Sequence, residues 1–152
     1  MPAAFDAQYR EEAPLLDFMR VFDAEPMARL NWSRAGIQWL DARSLAAMLG
    51  WDTQQFCTYL GLSKSHSAPS DRTRLGPGES ERVLGMSALV GQVVMMTNRN
   101  PHQFDPVQWV ASWLSNPLGA LGGGCPAEFL DTMTGQHLVA SLLAQIESGA
   151  YA

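Results

Sequence analysis

Apolar residues recur at intervals of three and four along most of this chain, and this spacing restricts its fold more than any other feature of the sequence. The pattern is clearest in the segments 37–49, 83–94 and 138–146. The regular alternation of apolar and polar residues that is typical of half-buried strands does not recur along the sequence. The spacing therefore predicts an all-α fold.

Capping and breaking residues indicate where the helices begin and end. Asp52 offers an N-cap for a helix that Gly61 ends, and Pro77 suits the first turn of a long helix. Asp105 followed by Pro106 is a further helix start. The first predicted helix covers 14–27, with a break at Pro26, and the second begins at 33 or 36 and ends at 49. Further helices are predicted for 54–60, for 78–97, from 106 onward, for 126–133 and, after Gly135, for 136–148.

Composition places the chain among ordinary globular proteins. Hydrophobic residues make up 47% and charged residues 16% of its 152 residues, which is enough apolar material for a packed core. The net charge of −5 argues against nucleic-acid binding by the whole surface. Cys57 and Cys125 lie far apart, and the sequence shows neither a signal segment nor a membrane span. We expect a soluble cytoplasmic protein.

The sequence shows no arrangement of residues that catalysis would require. His66, His102 and His137 are scattered, and none belongs to a ligand-like array with another His, Cys or carboxylate at i+3 or i+4. We expect His137 to lie at the edge of the core. The glycines at 122–124 lack the preceding strand and following lysine of a phosphate-binding loop. The prediction is a non-enzyme without a cofactor or metal.

The segment 53–74 resembles a helix-turn-helix. Its apolar residues Phe56, Tyr59 and Leu60 face the core in this interpretation, residues 61–62 form the turn, and Ser63 caps a recognition helix. Residues 63–74 hold three basic residues and one acidic residue, whereas Pro69 favours a solvated loop instead. Both alternatives remain open at this point. The DNA-binding candidates are Lys64, Ser65, His66, Arg72 and Arg74.

The last predicted helix carries an apolar stripe, for which core packing and partner binding are both possible explanations. The stripe consists of Leu138, Val139, Leu142, Leu143 and Ile146. Beyond it, Gly149 precedes Tyr151 and would allow an aromatic tip to insert into a partner's cleft. Periodicity alone does not separate these two explanations.

The stretch from Trp113 to Ala152 is similar to the C-terminal domain of the MbcA/ParS/Xre antitoxin family, in register and without an insertion. The segments 59–63 (YLGLS) and 74–84 (RLGPGESERVL) also resemble the family's Xre-type helix-turn-helix. The structural residues that carry the C-terminal resemblance include Trp113, Pro117, Leu121, Gly122, Gly123, Pro126 and Gly135. We expect most Leu and Val residues of this segment, Trp113 and the Gly-Gly loop to build its core.

The resemblance implies a type II antitoxin that neutralises a RES-domain, NAD-depleting toxin by occluding its active site. It divides the chain into an N-terminal extension with a short helix (1–35), a helix-turn-helix and dimerisation domain (36–100) and a toxin-binding domain (101–152). It also implies a homodimer, a larger hetero-oligomer with the toxin, and binding to the operator DNA of its own operon. The residues expected to contact the toxin are Glu147, Ser148, Gly149, Tyr151 and Ala152.

One stretch departs from the family pattern. Residues 66–70 contain Pro69 and lack the apolar anchor of family recognition helices, so operator contacts are either absent or shifted to Arg72 and Arg74. The alternative function is a stand-alone helix-turn-helix transcriptional regulator whose C-terminal domain serves only for dimerisation.

Overall fold

The computed structural model of the protein describes residues 12–63, 73–97 and 104–149. Within these ranges the chain is helical, with one isolated antiparallel bridge between Gln38 and Arg74, which confirms the all-α prediction. The α-helices are α1 (Phe18–Asp23), α2 (Pro26–Ala35), α3 (Trp39–Met48), α4 (Thr53–Leu60), α5 (Pro77–Met96), α6 (Pro106–Leu114) and α7 (Met133–Ser148). Two 3₁₀ helices, η1 (Gly119–Leu121) and η2 (Pro126–Phe129), lie between α6 and α7.

The long helix α5 forms the centre of the molecule. Pro77 starts it at a position where a missing N–H costs nothing, as the sequence predicts. From Val83 to Gly91 every residue of α5 is buried, so the helix is covered on all sides rather than on one face. Helices α1, α2, α6 and α7 all pack against it.

Small residues of α5 allow neighbouring backbones to approach closely. A Cβ atom added at Gly91 would lie 2.2 Å from the carbonyl oxygen of Phe18 and 2.6 Å from Cβ of Phe22. At the same crossing, the hydroxyl of Ser87 donates a hydrogen bond of 2.6 Å to the carbonyl oxygen of Leu15. The position of α1 therefore depends on small side chains at these points of α5.

Two arginines satisfy the carbonyl groups at helix ends. The Arg29 guanidinium donates to two carbonyl oxygens near the end of α1, at 3.0 and 2.9 Å, and its burial lowers the pKa of this side chain. Arg82 donates to the carbonyl oxygens of Leu60 and Gly61, at 2.7 and 3.0 Å, where α4 ends. A cation at a helix C-terminus is favourable because it opposes the negative end of the helix dipole.

The helix boundaries in the N-terminal part differ from the prediction. The predicted break at Pro26 is confirmed, since Pro26 starts α2 with a fixed φ suited to the first helical position, but α1 begins only at Phe18. Helix α2 then runs to Ala35 and ends at Gly36, whose φ of 90° favours glycine. The next helix begins at Trp39, three residues after the predicted start at Gly36.

The chain around Gly36 is tied to the segment that precedes α5. The N–H of Leu75 donates to the carbonyl oxygen of Ile37 at 2.9 Å, and the N–H of Trp39 donates to that of Thr73 at 2.8 Å. The buried hydroxyl of Ser80 accepts from the N–H of Ile37 and donates to the carbonyl oxygen of Leu75. These bonds hold the start of α3 against the start of α5.

The C-terminal helix starts earlier than predicted. Thr132 caps α7 by accepting a hydrogen bond of 3.0 Å from the N–H of Gly135, so this glycine lies inside the first turn rather than before it. A Cβ atom at Gly135 would lie 1.9 Å from the carbonyl oxygen of Phe129. The predicted helix 126–133 is instead the short η2 followed by a turn.

Among the described residues, no helix combines the length and the apolar character that crossing a membrane would need.

Replacement of Gly91 by alanine should destabilise the protein. The methyl group would overlap the backbone of α1, and overpacking of this kind costs about 1–3 kcal/mol. This cost exceeds the gain of about 1 kcal/mol in helix propensity that alanine offers over glycine. Urea denaturation followed by circular dichroism should show a lower free energy of unfolding for Gly91→Ala. Gly119→Ala, at a position with open space around the added Cβ, is the matched control. Equal stability of Gly91→Ala and the parent would contradict the proposed close approach.

Candidate interaction site

The C-terminal unit begins at α6, which the Asp105 carboxylate caps. One carboxylate oxygen accepts hydrogen bonds from the N–H groups of Val107 and Gln108, at 3.1 and 3.2 Å. Val110 and Leu114 are buried. An adjacent face of α6 is aromatic and half-buried at the edge of the core, and the described residues Phe104, Trp109 and Trp113 form a row there.

This aromatic row is stacked in part. The rings of Trp109 and Trp113 lie 6.1 Å apart with an angle of 7° between their planes, and those of Phe104 and Trp109 lie 6.2 Å apart at 44°. Trp113, which we expected in the core, is half-buried and packs against the core from its edge. Aromatic residues that are partly accessible at the surface are enriched in interaction surfaces.

The glycine-rich loop after α6 is a compact surface turn. The N–H of Leu118 donates to the carbonyl oxygen of Gly124, and the N–H of Gly123 donates to that of Leu118. Gly122 and Gly123 have φ values of 66° and 89°, which residues with a side chain adopt at a cost. Both glycines are exposed, so the expectation that they contribute to the core is wrong. Their role is to shape the turn.

The remaining motif residues lie around this turn with different degrees of burial. Pro126 is buried at the start of η2, Leu121 is half-buried, and Pro117 is exposed. Gly135 provides the close contact between η2 and α7 described above.

Gln136 joins this unit to the central helix. Its side chain is buried, and its amide nitrogen donates to the carbonyl oxygens of Arg82 and Leu130, both at 3.0 Å. Its amide oxygen lies next to Gly85, where an added Cβ would be only 1.8 Å away. The neighbouring His137, predicted at the edge of the core, is exposed.

The far end of α7 is accessible. Val139, Leu142 and Leu143 of the apolar stripe are buried, whereas Leu138 is 43% exposed. Ile146 is half-buried. The predicted toxin contacts Glu147, Ser148 and Gly149 are exposed, and Gly149 ends the helix with a φ of 74°. The other two predicted contacts, Tyr151 and Ala152, lie outside the described residues.

The structure describes only one of the five residues that we predicted to contact DNA. Lys64, Ser65, His66 and Arg72 lie outside the described residues, whereas Arg74 lies just before α5. The Arg74 guanidinium donates to the carbonyl oxygen of Gly36 at 2.8 Å and forms an ion pair of 2.6 Å with Glu12. The hydrogen bond and charge of Arg74 lower the pKa of Glu12. Arg74 therefore links three segments of the fold.

The helix pair α3–α4 is joined by a short turn, as in a helix-turn-helix, and it lies one helix before the pair that the sequence predicts. Its turn, residues 49–52, contains Gly50 with a φ of 73°, and Asp52 caps α4 in a reciprocal bond pair with Gln55. Phe56 and Leu60 are buried, as expected. In the sequence, Gly50 followed by the N-cap Asp52 is the feature that indicates this turn between α3 and α4.

The chain is similar to known proteins over this part and over most of its length. Residues 102–149 match the family model described as the antitoxin Xre/MbcA/ParS C-terminal toxin-binding domain. The chain is also 36% identical over 143 residues to the Prs ADP-ribosylating antitoxin of Sphingobium sp. (strain YBL2), across 91% of this chain and 90% of that protein. The chain belongs to the Xre/MbcA/ParS antitoxin family. The resemblance identified in the sequence is thus confirmed.

The match spans α6, η1, η2 and α7 of the antitoxin, so the aromatic row and the far end of α7 both belong to its toxin-binding domain. Within the described parts of the chain, no group of three or more His, Cys, Asp or Glu side chains is placed to hold a metal ion. The buried Cys57 thiol has a pKa raised mainly by desolvation.

Replacement of Gln136 by leucine should weaken the attachment of α7 to α5. The change leaves the carbonyl oxygens of Arg82 and Leu130 without this donor, at a cost of about 1–3 kcal/mol. Differential scanning calorimetry should show a lower Tm. Gln145→Leu, the same change at an exposed position of the same helix, should alter the stability by about 0.5 kcal/mol or less. Equal Tm values for the two variants would contradict a bridging role for Gln136.

Proposed function

We propose that this antitoxin binds and neutralises a RES-domain toxin by covering its active site with the far end of α7. The observation that carries this proposal is the exposed tip Glu147–Gly149 on a helix whose inner face is buried in the core. A tip on a rigid helix inserts into a cleft with little loss of conformational freedom. The family model names this domain toxin-binding, which supports the same placement.

The name of the Sphingobium relative supports an NAD-consuming toxin. That protein is called a Prs ADP-ribosylating antitoxin, and ADP-ribosylation uses NAD⁺ as its donor. A RES-domain toxin that depletes NAD⁺ is the expectation drawn from the sequence. The proposal further includes a cytoplasmic, non-catalytic protein without a cofactor that forms a homodimer and a larger hetero-oligomer with its toxin.

Removal of the tip should abolish neutralisation. The test is growth rescue when the proposed cognate RES-domain toxin is co-expressed with the full chain or with a variant truncated after Gln145. The truncated variant keeps the buried residues Val139, Leu142 and Leu143, so we expect it to fold but not to rescue growth.

Circular dichroism of the purified truncated variant verifies its folding. Leu138→Ala, at an exposed position far from the tip, is the control that should rescue growth fully. Full rescue by the truncated chain would refute the role of the tip, and failure of the full chain to bind the toxin would refute the proposed function itself.

As a second function we propose operator binding through α3 and α4, with α4 as the recognition helix. The supporting observation is the capped α4 after the glycine turn, with Gln54, Gln55 and Thr58 exposed on its outer side. Glutamine side chains can form paired hydrogen bonds with adenine in the major groove. Arg74, by contrast, is engaged with Glu12 and Gly36.

Substitutions on α4 should distinguish recognition by α4 from recognition by the segment after Ser63, which the sequence predicts. Gln54→Ala should reduce specific affinity for the antitoxin's own promoter by about 1–3 kcal/mol in a fluorescence-anisotropy assay, because a base contact is lost. Arg72→Ala tests the placement after Ser63. If Arg72→Ala removes promoter binding while Gln54→Ala and Thr58→Ala leave it unchanged, recognition by α4 is refuted.

A further inference from the structure

Helix α7 of the toxin-binding domain and the central helix α5, against which it packs, run in the same direction. Gln136, near the start of α7, donates to the carbonyl oxygen of Arg82 near the start of α5. Further along both helices, the Gln92 amide nitrogen donates to the carbonyl oxygen of Ala140 at 2.9 Å. The contacts advance together along both helices, so α5 and α7 are parallel and their C-termini lie at one end.

Parallel packing places the negative ends of two helix dipoles side by side. Each dipole corresponds to roughly half a negative charge at the C-terminus, and a cation there is favourable. Both helices are fully described, and neither carries a basic residue in its last turn. The usual compensation by a lysine or arginine of the same helix is therefore missing at both ends.

A groove of about 500 Å³ opens at this end of the two helices. It is here called the C-terminal groove, and the residues that matter for its chemistry are Met95, Thr97, Phe104, Trp109, Ile146 and Glu147. Glu147 supplies the one charged side chain among the described residues that line it. At the opposite end of the same helices, a second groove of about 570 Å³ is lined by Arg29 and Arg34 with Glu81.

The walls of the C-terminal groove suit a flat cation. Phe104 and Trp109 are half-buried, so part of their ring surface is exposed, and Met95 is 45% exposed. The planar guanidinium of arginine stacks on aromatic rings and binds a carboxylate through two parallel hydrogen bonds. Among the described residues that line the groove, Glu147 is the carboxylate that such a cation would meet.

We propose that the C-terminal groove receives an arginine side chain of the partner toxin, with the guanidinium against Glu147 and the aromatic wall. This inference rests on the proposed toxin binding and adds a second contact beside the tip of α7. The tip and the groove share Glu147, so one partner surface would engage both.

The first test uses a defined probe and the full antitoxin. N-acetyl-arginine amide is titrated to millimolar concentration while the indole N–H signals of the tryptophans are followed by NMR. The signal of Trp109 should shift with the arginine probe and not with its uncharged analogue N-acetyl-citrulline amide. Glu147→Gln should remove the shift, and the matched control Glu81→Gln, at the other end of the helices, should keep it. Equal responses to both probes, or a stronger response to N-acetyl-lysine amide, would overturn the proposal.

The second test uses the complex with the proposed cognate RES-domain toxin. Glu147→Gln and Met95→Lys should each weaken the complex about tenfold, because one removes the carboxylate and the other adds a competing cation. Met95 is well exposed, so the lysine variant should fold. Unchanged Kd values for both variants would overturn the arginine site, whereas loss of neutralisation on truncation after Gln145 would leave the proposed function intact. Absence of any complex with the full chain would instead refute the proposed function.

Discussion

The close packing of backbones against α5 is the constraint on which the rest of the structure depends. At Gly91 the backbone of α1 occupies the space that a Cβ would need, and at Gly85 the amide of Gln136 does the same from α7. Small residues on two sides of one helix allow two other helices to approach it closely. Dispersion contacts depend strongly on such distances, so these positions tolerate little change.

The attachment of α7 to α5 has an electrostatic consequence. Because the two helices are parallel, the negative ends of both dipoles lie at one end of the pair and the positive ends at the other. Glu147 lies at the end with the aromatic row, whereas Arg29 and Arg34 lie at the other together with Glu81. The antitoxin thus presents different chemistry at the two ends of one helix pair, and the family's toxin-binding domain includes the negative one.

Features that depend on neighbouring residues in the sequence were predicted correctly, whereas features that depend on tertiary contacts were not. The start of α6 at Pro106 and the end of α4 at Gly61 were correct, because capping and left-handed glycine are local effects. The start of α7 was placed too late because Gly135 is explained by its contact with Phe129, a tertiary reason that the spacing does not show. Trp113 was expected in the core from the family motif, but it is half-buried beside Trp109 at the edge of the core.

The sequence by itself determined the helical class, most helix boundaries and, through the motif from Trp113 onward, the antitoxin family. These properties depend on residue spacing, on capping residues and on the in-register match to the family motif, all of which are local features of the sequence. Only the tertiary structure decided that α5 and α7 run parallel, that Arg74 pairs with Glu12, and that Glu147 lines one groove with Phe104 and Trp109. Each of these depends on contacts between residues distant in sequence, whose geometry the spacing of apolar residues does not encode.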